Sequence, residues 1–295
     1  MKWSLFLFAF TLGGCKYWYK PTPVANAIGE EKVVLGGDTM RVYRESRFEI
    51  YGPDEQAVYD GYEQMNRAYR GFEHLFGTEP PHLAVLLAKD TSLHLDSTVS
   101  RGFAAHGFRF LRYVRPKPEY QRYGSLAYGG ILWPVAPTVA RLLLAHFAQT
   151  QTGGSGASSD SAALAMFPAW YRAAVMHLIG EDAISNDLEF LRDKRDAWLP
   201  MQELLTLARS PAEDGSLDPS LRGDVDEASR ILGAQAATVA QYLIEHEGAG
   251  VMRRLAQGYL GHRSITEMLN DLSATARATA QLEQNWKVWV LTTDE

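Results

Sequence analysis

The sequence predicts an α+β fold: a small mixed β-sheet with one long helix, followed by a mostly helical part. Three observations carry this. Short β-prone runs crowd the first third of the chain, at Met40–Tyr43, Phe48–Tyr51 and His82–Ala88. Between the second and third of these, Val58, Tyr62, Met65, Tyr69, Phe72 and Phe76 recur at spacings of 4, 3, 4, 3 and 4, the period of one helical face. From Pro137 onward the apolar pattern is helical nearly throughout.

The elements follow in order. Gly36-Gly37-Asp38 marks a turn between β-prone runs, with the residue types that tight hairpins demand. Gly52-Pro53-Asp54 opens the long helix, with Pro near its first turn. Gly77 ends it as the residue past the last turn. His82–Ala88 (HLAVLLA), bounded by Pro-Pro and Lys-Asp, reads as a buried strand. Residues 90–124 are weakly patterned; their Phe103, Phe108, Phe110 and Tyr113 are expected to cover the sheet or line a cleft. Leu126–Trp133 reads as an edge strand with a bulge at Gly129-Gly130.

In the second part, Val139, Leu142, Leu143, His146 and Phe147 form one helical stripe. Thr152–Ser161 reads as a loop without the pattern that cradles phosphate. Helices are expected at about Pro168–Ile179, Leu188–Lys194, Met201–Ala208, Val225–Glu247 and Ala249–Gln257, with a loop over 209–224. Ser264-Ile265-Thr266-Glu267 is a capping box that starts another. Leu282, Trp286, Trp289 and Val290 define the last amphipathic helix. No repeat of fixed period is visible.

The composition is that of an ordinary globular protein, with 295 residues, 46% hydrophobic and 22% charged. A net charge of −6 and no long basic cluster argue against a nucleic-acid partner. The N-terminus is the most informative stretch. Met1-Lys2 is followed by the apolar run Trp3–Leu12 (WSLFLFAFTL). That run falls well short of the roughly 20 residues a spanning helix needs, and it suits the apolar core of a signal peptide. Leu12-Gly13-Gly14-Cys15 then resembles a bacterial lipobox, in which small residues enter the peptidase cleft and the thiol accepts a diacylglycerol. Cys15 is also the one cysteine of the chain, so it has no internal disulfide partner.

The expected organisation is a lipoprotein signal peptide over 1–14, the acylated Cys15 with a tether over 15–32, an α/β part over 33–136, and a helical part over 137–295. The resemblance implies membrane lipid as a partner through acyl chains such as palmitate. It implies a place in the cell envelope, at the outer membrane or the extracytoplasmic face of the inner one. Lys16 after the cysteine favours the outer membrane. Pro21 and Pro23 disfavour regular structure in the tether, and Tyr17, Trp18 and Tyr19 suit a membrane interface.

His146 ends the run RLLLAHFAQT, and Pro168-x-Trp170 opens PAWYRAAVMH downstream. With Gln241–Gly248 (QYLIEHEG) and the preceding order of strands and helix, this resembles the gluzincin-type zinc metallopeptidases. These are the peptidase MA-like, thermolysin-like group. In that group H-E-x-x-H lies on one helix, and P-x-W-x-x-E-G supplies the third ligand from the next. The resemblance spans roughly residues 40–291 as a pattern. It implies that His146 stands at the first zinc-ligand position and Phe147 at the catalytic glutamate. Thr150 then stands at the second histidine, Ala173 at the ligand glutamate and Ala174 at the glycine. A catalytic zinc normally has three protein ligands and a water, and its water needs a positioned base. The resemblance therefore implies a catalytically inactive scaffold with no metal or other cofactor.

Other readings of the same residues stand beside it. His146 alone suits a packed core histidine. A displaced site using His146 with His177 would support a residual or altered envelope hydrolase; Glu181 and His106 are its weak third ligands. No G-x-S-x-G is present, and Glu245 and Glu247 lie on different sides of a helix. The leading expectation is a membrane-anchored binding or scaffold protein that holds peptides or proteins of the envelope. An extended peptide would pair with an edge strand at Leu126–Trp133. A purely structural envelope lipoprotein is the third reading.

Overall fold

The first three strands form an antiparallel meander: β1 (Glu31–Leu35), β2 (Asp38–Arg44) and β3 (Phe48–Gly52). The β1–β2 hairpin closes on Gly36 and Gly37, whose φ values are 60° and 92°. A turn with both central residues left-handed matches the strand twist, and glycine adopts it without strain. In this computed structural model the described residues are 31–89, 97–114, 135–153, 159–180, 184–209, 222–272 and 278–293. Cys15 with the signal peptide, Leu126–Trp133 and Glu181 lie outside them.

Helix α1 (Glu55–Phe76) starts where the Asp54 side chain accepts from the Ala57 amide at 2.9 Å and stops at left-handed Gly77. All six residues of its expected apolar stripe are buried. Beyond it, β4 (Leu83–Ala88) is buried along its whole length and runs parallel to β3. Helix α2 (Ser97–Ala105) then leads to β5 (Arg109–Val114), parallel to β4. The result is a five-stranded mixed sheet in the order β1-β2-β3-β4-β5.

Two departures from the sequence reading are visible here. The weakly patterned stretch holds both α2 and β5, and β1 begins inside the expected tether. Neither α2 nor β5 buries a residue completely, so neither leaves a clean apolar period. Strand alternation still sorts β5 across the sheet. Leu111 and Tyr113 pack on the main core, whereas Phe110 and Val114 join Phe103 and Phe108 over the opposite face. Those three phenylalanines thus do cover the sheet, while Tyr113 faces the other way.

The helical part contains α3 (Ala136–Gln151), α4 (Asp160–Ala165), α5 (Ala169–Gly180), α6 (Ile184–Asp193), α7 (Met201–Thr206), α8 (Arg222–Glu247), α9 (Gly250–Leu260), α10 (Ile265–Asn270) and α11 (Thr279–Thr292). A short 3-10 turn, Arg195–Ala197, joins α6 to α7. The capping box before α10 is present in full, with Ser264 and Glu267 bonded reciprocally. Helix α4 begins within the expected Thr152–Ser161 loop, because Ser159 caps it by accepting from the Ala162 amide. One hydrophobic cluster runs from Phe48 and α1 through α3, α5 and α8 to Val290, so the sheet and the helices share a core. Among the described residues no helix is long and apolar enough to cross a membrane.

Candidate functional site

Helix α3 carries the first group of singled-out residues. Val135 gives its start no side-chain cap. The buried Gln64 of α1 supplies one instead, its Oε1 accepting from the Ala136 amide at 3.1 Å. Val139, Leu143 and Phe147 then form the buried face of α3. His146 is half-buried and Thr150 is exposed.

Phe147 is 2% exposed, and its ring centre lies 4.7 Å from that of Phe76. Phe76 in turn stacks on Phe72 at 4.9 Å. The side chain therefore plugs the space between α3 and α1. Thr150 Oγ1 donates to the His146 carbonyl at 2.9 Å, one turn back, and lies 3.4 Å from His146 Nε2.

On the other side of His146 is a polar junction of three elements. Arg109 occupies the same face of β5 as Leu111 and Tyr113, so it points to the helical layer. Its Nη2 donates to Asp160 Oδ1 at 2.6 Å. Gln149 Nε2 donates to the same oxygen at 3.1 Å. Burial, and next the Arg109 charge, hold the His146 pKa below its ordinary value, against the opposing pull of Asp160. Burial and the Arg109 charge both favour the neutral imidazole.

Helix α5, which packs against both α3 and α8, carries the second group. Trp170 is fully buried, and its Nε1 donates to the Tyr259 hydroxyl at 3.1 Å. Tyr171 beside it donates to the Met252 carbonyl at 2.6 Å. Burial first, and then Tyr259, push the Tyr171 pKa well above its ordinary value. These two rings pin α5 to α9. Ala173, 9% exposed, and fully buried Ala174 belong to the shared core. Arg172, 8% exposed, donates to the Phe167 carbonyl at 2.7 Å and reaches those of Leu164 and Ala208. It ties the turn around Pro168 to its surroundings.

His177 has different neighbours from His146. Its Nδ1 lies 3.4 Å from Asp187 Oδ2 on α6. Its Nε2 lies against the backbone of α8 at Gly233, where a Cβ would come within 2.6 Å of it. The charges that act on His146 come from β5 and α4, whereas His177 meets α6 and α8. His106, just past the end of α2, places Nδ1 2.8 Å from the Gly102 carbonyl and is exposed. Glu245 accepts from Trp289 Nε1 at 2.9 Å, whereas Glu247 pairs with Arg254 at 3.8 Å, so these acids do take separate sides.

The donor set around His146 does not fit a zinc ion. Thr150 offers a hydroxyl already bonded within its own helix, Ala173 offers a methyl, and Phe147 a buried ring; a closed or catalytic zinc site needs three or four nitrogen, sulfur or carboxylate ligands. Among the described residues no group of three or more His, Cys, Asp or Glu is placed to hold a metal.

A groove that sequence reasoning did not locate lies on the far face of the sheet. It has a volume of about 430 Å³ and is lined by Arg44, Glu49, Tyr51, Phe103, His106 and Phe108, among others. Tyr51 donates its hydroxyl to Glu49, and Arg44 pairs with both Glu49 and Glu31. Phe103 stacks on Phe110 at 5.2 Å and meets Tyr51 edge-on at 5.4 Å. The expectation of aromatics lining a cleft was the available signal; the charged partners come from β2 and β3, far away in sequence. No family model, no curated protein and no solved structure matches the chain.

Proposed function

We propose that this chain is a membrane-anchored lipoprotein whose folded part is a catalytically inactive, metallopeptidase-like scaffold that binds peptides or proteins of the cell envelope. The observation that carries the reading is Phe147. At the position where the gluzincin resemblance expects the catalytic glutamate, a 2% exposed ring packs on Phe76. A carboxylate there would need a partner to offset its desolvation; phenylalanine instead contributes packing to the core. Thr150, bonded to its own helix, and Ala173, packed in the shared core, support the same reading at two ligand positions. In this reading Cys15 carries the lipid and the surface around α3 and the sheet edge carries the partner.

The experiment uses the full chain purified from membranes in detergent. Elemental analysis is expected to find no stoichiometric zinc, and a peptide-library digest no cleavage. Metabolic labelling with palmitate is expected to mark the protein and to be lost in Cys15→Ser. Stoichiometric zinc together with peptide hydrolysis would overturn the inactive scaffold, and unchanged labelling of Cys15→Ser would overturn the anchor.

A further inference from the structure

The groove on the far face of the sheet has a volume of about 430 Å³, within the roughly 300–1,000 Å³ usual for small-ligand sites. Strand alternation builds its floor. Met40 and Val42 belong to the far-face cluster, and Arg44 falls on the same side of β2. Glu49 and Tyr51 take that side of β3, with Glu49 directly opposite Arg44. The wall is one face of α2 and the turn after it, where Thr98, Val99, Gly102, Phe103 and His106 recur at helical spacing. Phe103 holds the wall in place by stacking on Phe110 and meeting Tyr51 edge-on. Gly102 stands out on this face. Glycine weakens a helix interior, yet a Cβ here would meet nothing within 4 Å. No neighbour in the fold requires a glycine at this position; what it preserves is the open space of the groove.

The polar lining sorts by what each group still has to give or take. Tyr51 donates its hydroxyl hydrogen to Glu49, so its oxygen is left as an acceptor. His106 Nδ1 lies 2.8 Å from the Gly102 carbonyl. A carbonyl only accepts, so Nδ1 carries the hydrogen and a neutral ring keeps Nε2 as an acceptor. Arg44 engages Glu49 through Nε at 3.3 Å and Glu31 through Nη1, and neither pair uses Nη2. The groove thus sets a donor fork beside acceptors. Its charged lining residues among those described, Arg44 and Glu49, offset each other. Leu35, Val99, Phe103 and Phe108 add apolar surface. We propose that this groove binds a neutral saccharide, with ring hydroxyls on Arg44, Glu49 and Tyr51 and a C–H face against the aromatic wall. An ammonium ligand cannot accept from Arg44. A carboxylate ligand cannot donate to Glu49 or Tyr51. A hydroxyl does both, and two neighbouring hydroxyls of one ring bridge a guanidinium and the carboxylate it pairs with. The flat C–H face of such a ring suits the aromatic side of the groove. The site stands independently of the inactive-scaffold reading above, which rests on α3 and α5.

Saturation-transfer difference NMR on the full chain in detergent tests it, with saturation applied in the protein's aromatic region. The probes are the methyl glycosides of glucose, galactose, mannose and N-acetylglucosamine. At least one is expected to receive saturation, strongest on the C–H protons of one ring face. It should bind about tenfold or more tighter than the ammonium and carboxylate derivatives of the same ring, which leave a donor or acceptor of the groove unmatched. Gly102→Leu should melt no lower than the natural chain and lose the transfer, because its side chain enters open space. Arg44→Gln should weaken binding about tenfold, as loss of a hydrogen bond to a charged group does. Three results overturn the site: no transfer to any of the probes, binding that survives a folded Gly102→Leu, or a charged derivative that binds as well as the neutral ring. If Gly102→Leu does not fold, Arg44→Gln decides, and unchanged affinity there overturns the proposal.

Discussion

A single side chain can be legible in its burial and illegible in its company. The helical period already places Val139, Leu143 and Phe147 on one face, and all three are buried. Phe147→Ala should destabilise the fold by about 3–5 kcal/mol, and Phe147→Leu by less than about 1.5 kcal/mol if the neighbours can repack, as urea unfolding would measure. His146 shares that stripe, yet the charges that act on it, Arg109 and Asp160, come from elements that helical period does not register. Their effect has a definite sign. The folded chain holds the His146 pKa below the ordinary 6.5, so on acidification the unfolded chain takes up that proton first. The contribution of His146 to stability is therefore complete above about pH 6.5. It is lost as pH falls from there through the lowered pKa. Thermal melts of the natural chain should fall over that window more steeply than those of His146→Gln; parallel curves would refute this.

Whole elements were readable where one face is buried and obscure where it is not. Helix α1 shows its stripe, its Asp54 start and its Gly77 stop, because each is a local choice of residue. Helix α2 buries nothing completely and β5 is half-buried on both faces, so residues 90–124 carried no period to detect. Contacts between helices are a further step away. Gly233 looks like a helix-weakening residue in α8, but a Cβ there would sit 2.6 Å from His177 Nε2. Gly233→Ala should gain helix propensity yet lose about 1–3 kcal/mol to overpacking between α5 and α8. Adding His177→Ala should recover part of that loss. A double-mutant cycle by urea denaturation should therefore show coupling of about 0.5–3 kcal/mol, and simple additivity would exclude the contact.

At the scale of the molecule, the α+β division was correctly expected, and the sheet and helical parts close over one core. The proposed ancestry of the α3–α5 pair makes a constructive prediction. Phe147→Glu with Thr150→His and Ala173→Glu should bind zinc stoichiometrically and depend on it for stability, since the new buried carboxylate costs several kcal/mol without a partner. A folded triple variant that ignores zinc, by elemental analysis and thermal shift, would count decisively against the ancestry. Local chemistry was sufficient for the α+β division, for helix α1 with its start and stop, and for the turn at Gly36-Gly37, the capping box at Ser264 and the apolar face of α3. Those depend on φ preferences, caps and hydrophobic period, which neighbouring residues specify. The junction of Arg109, Gln149 and Asp160, the His177–Gly233 contact and the groove over the far face of the sheet required the folded chain. They depend on which faces meet across long stretches of sequence, and that follows from burying one shared core rather than from any residue's own preference.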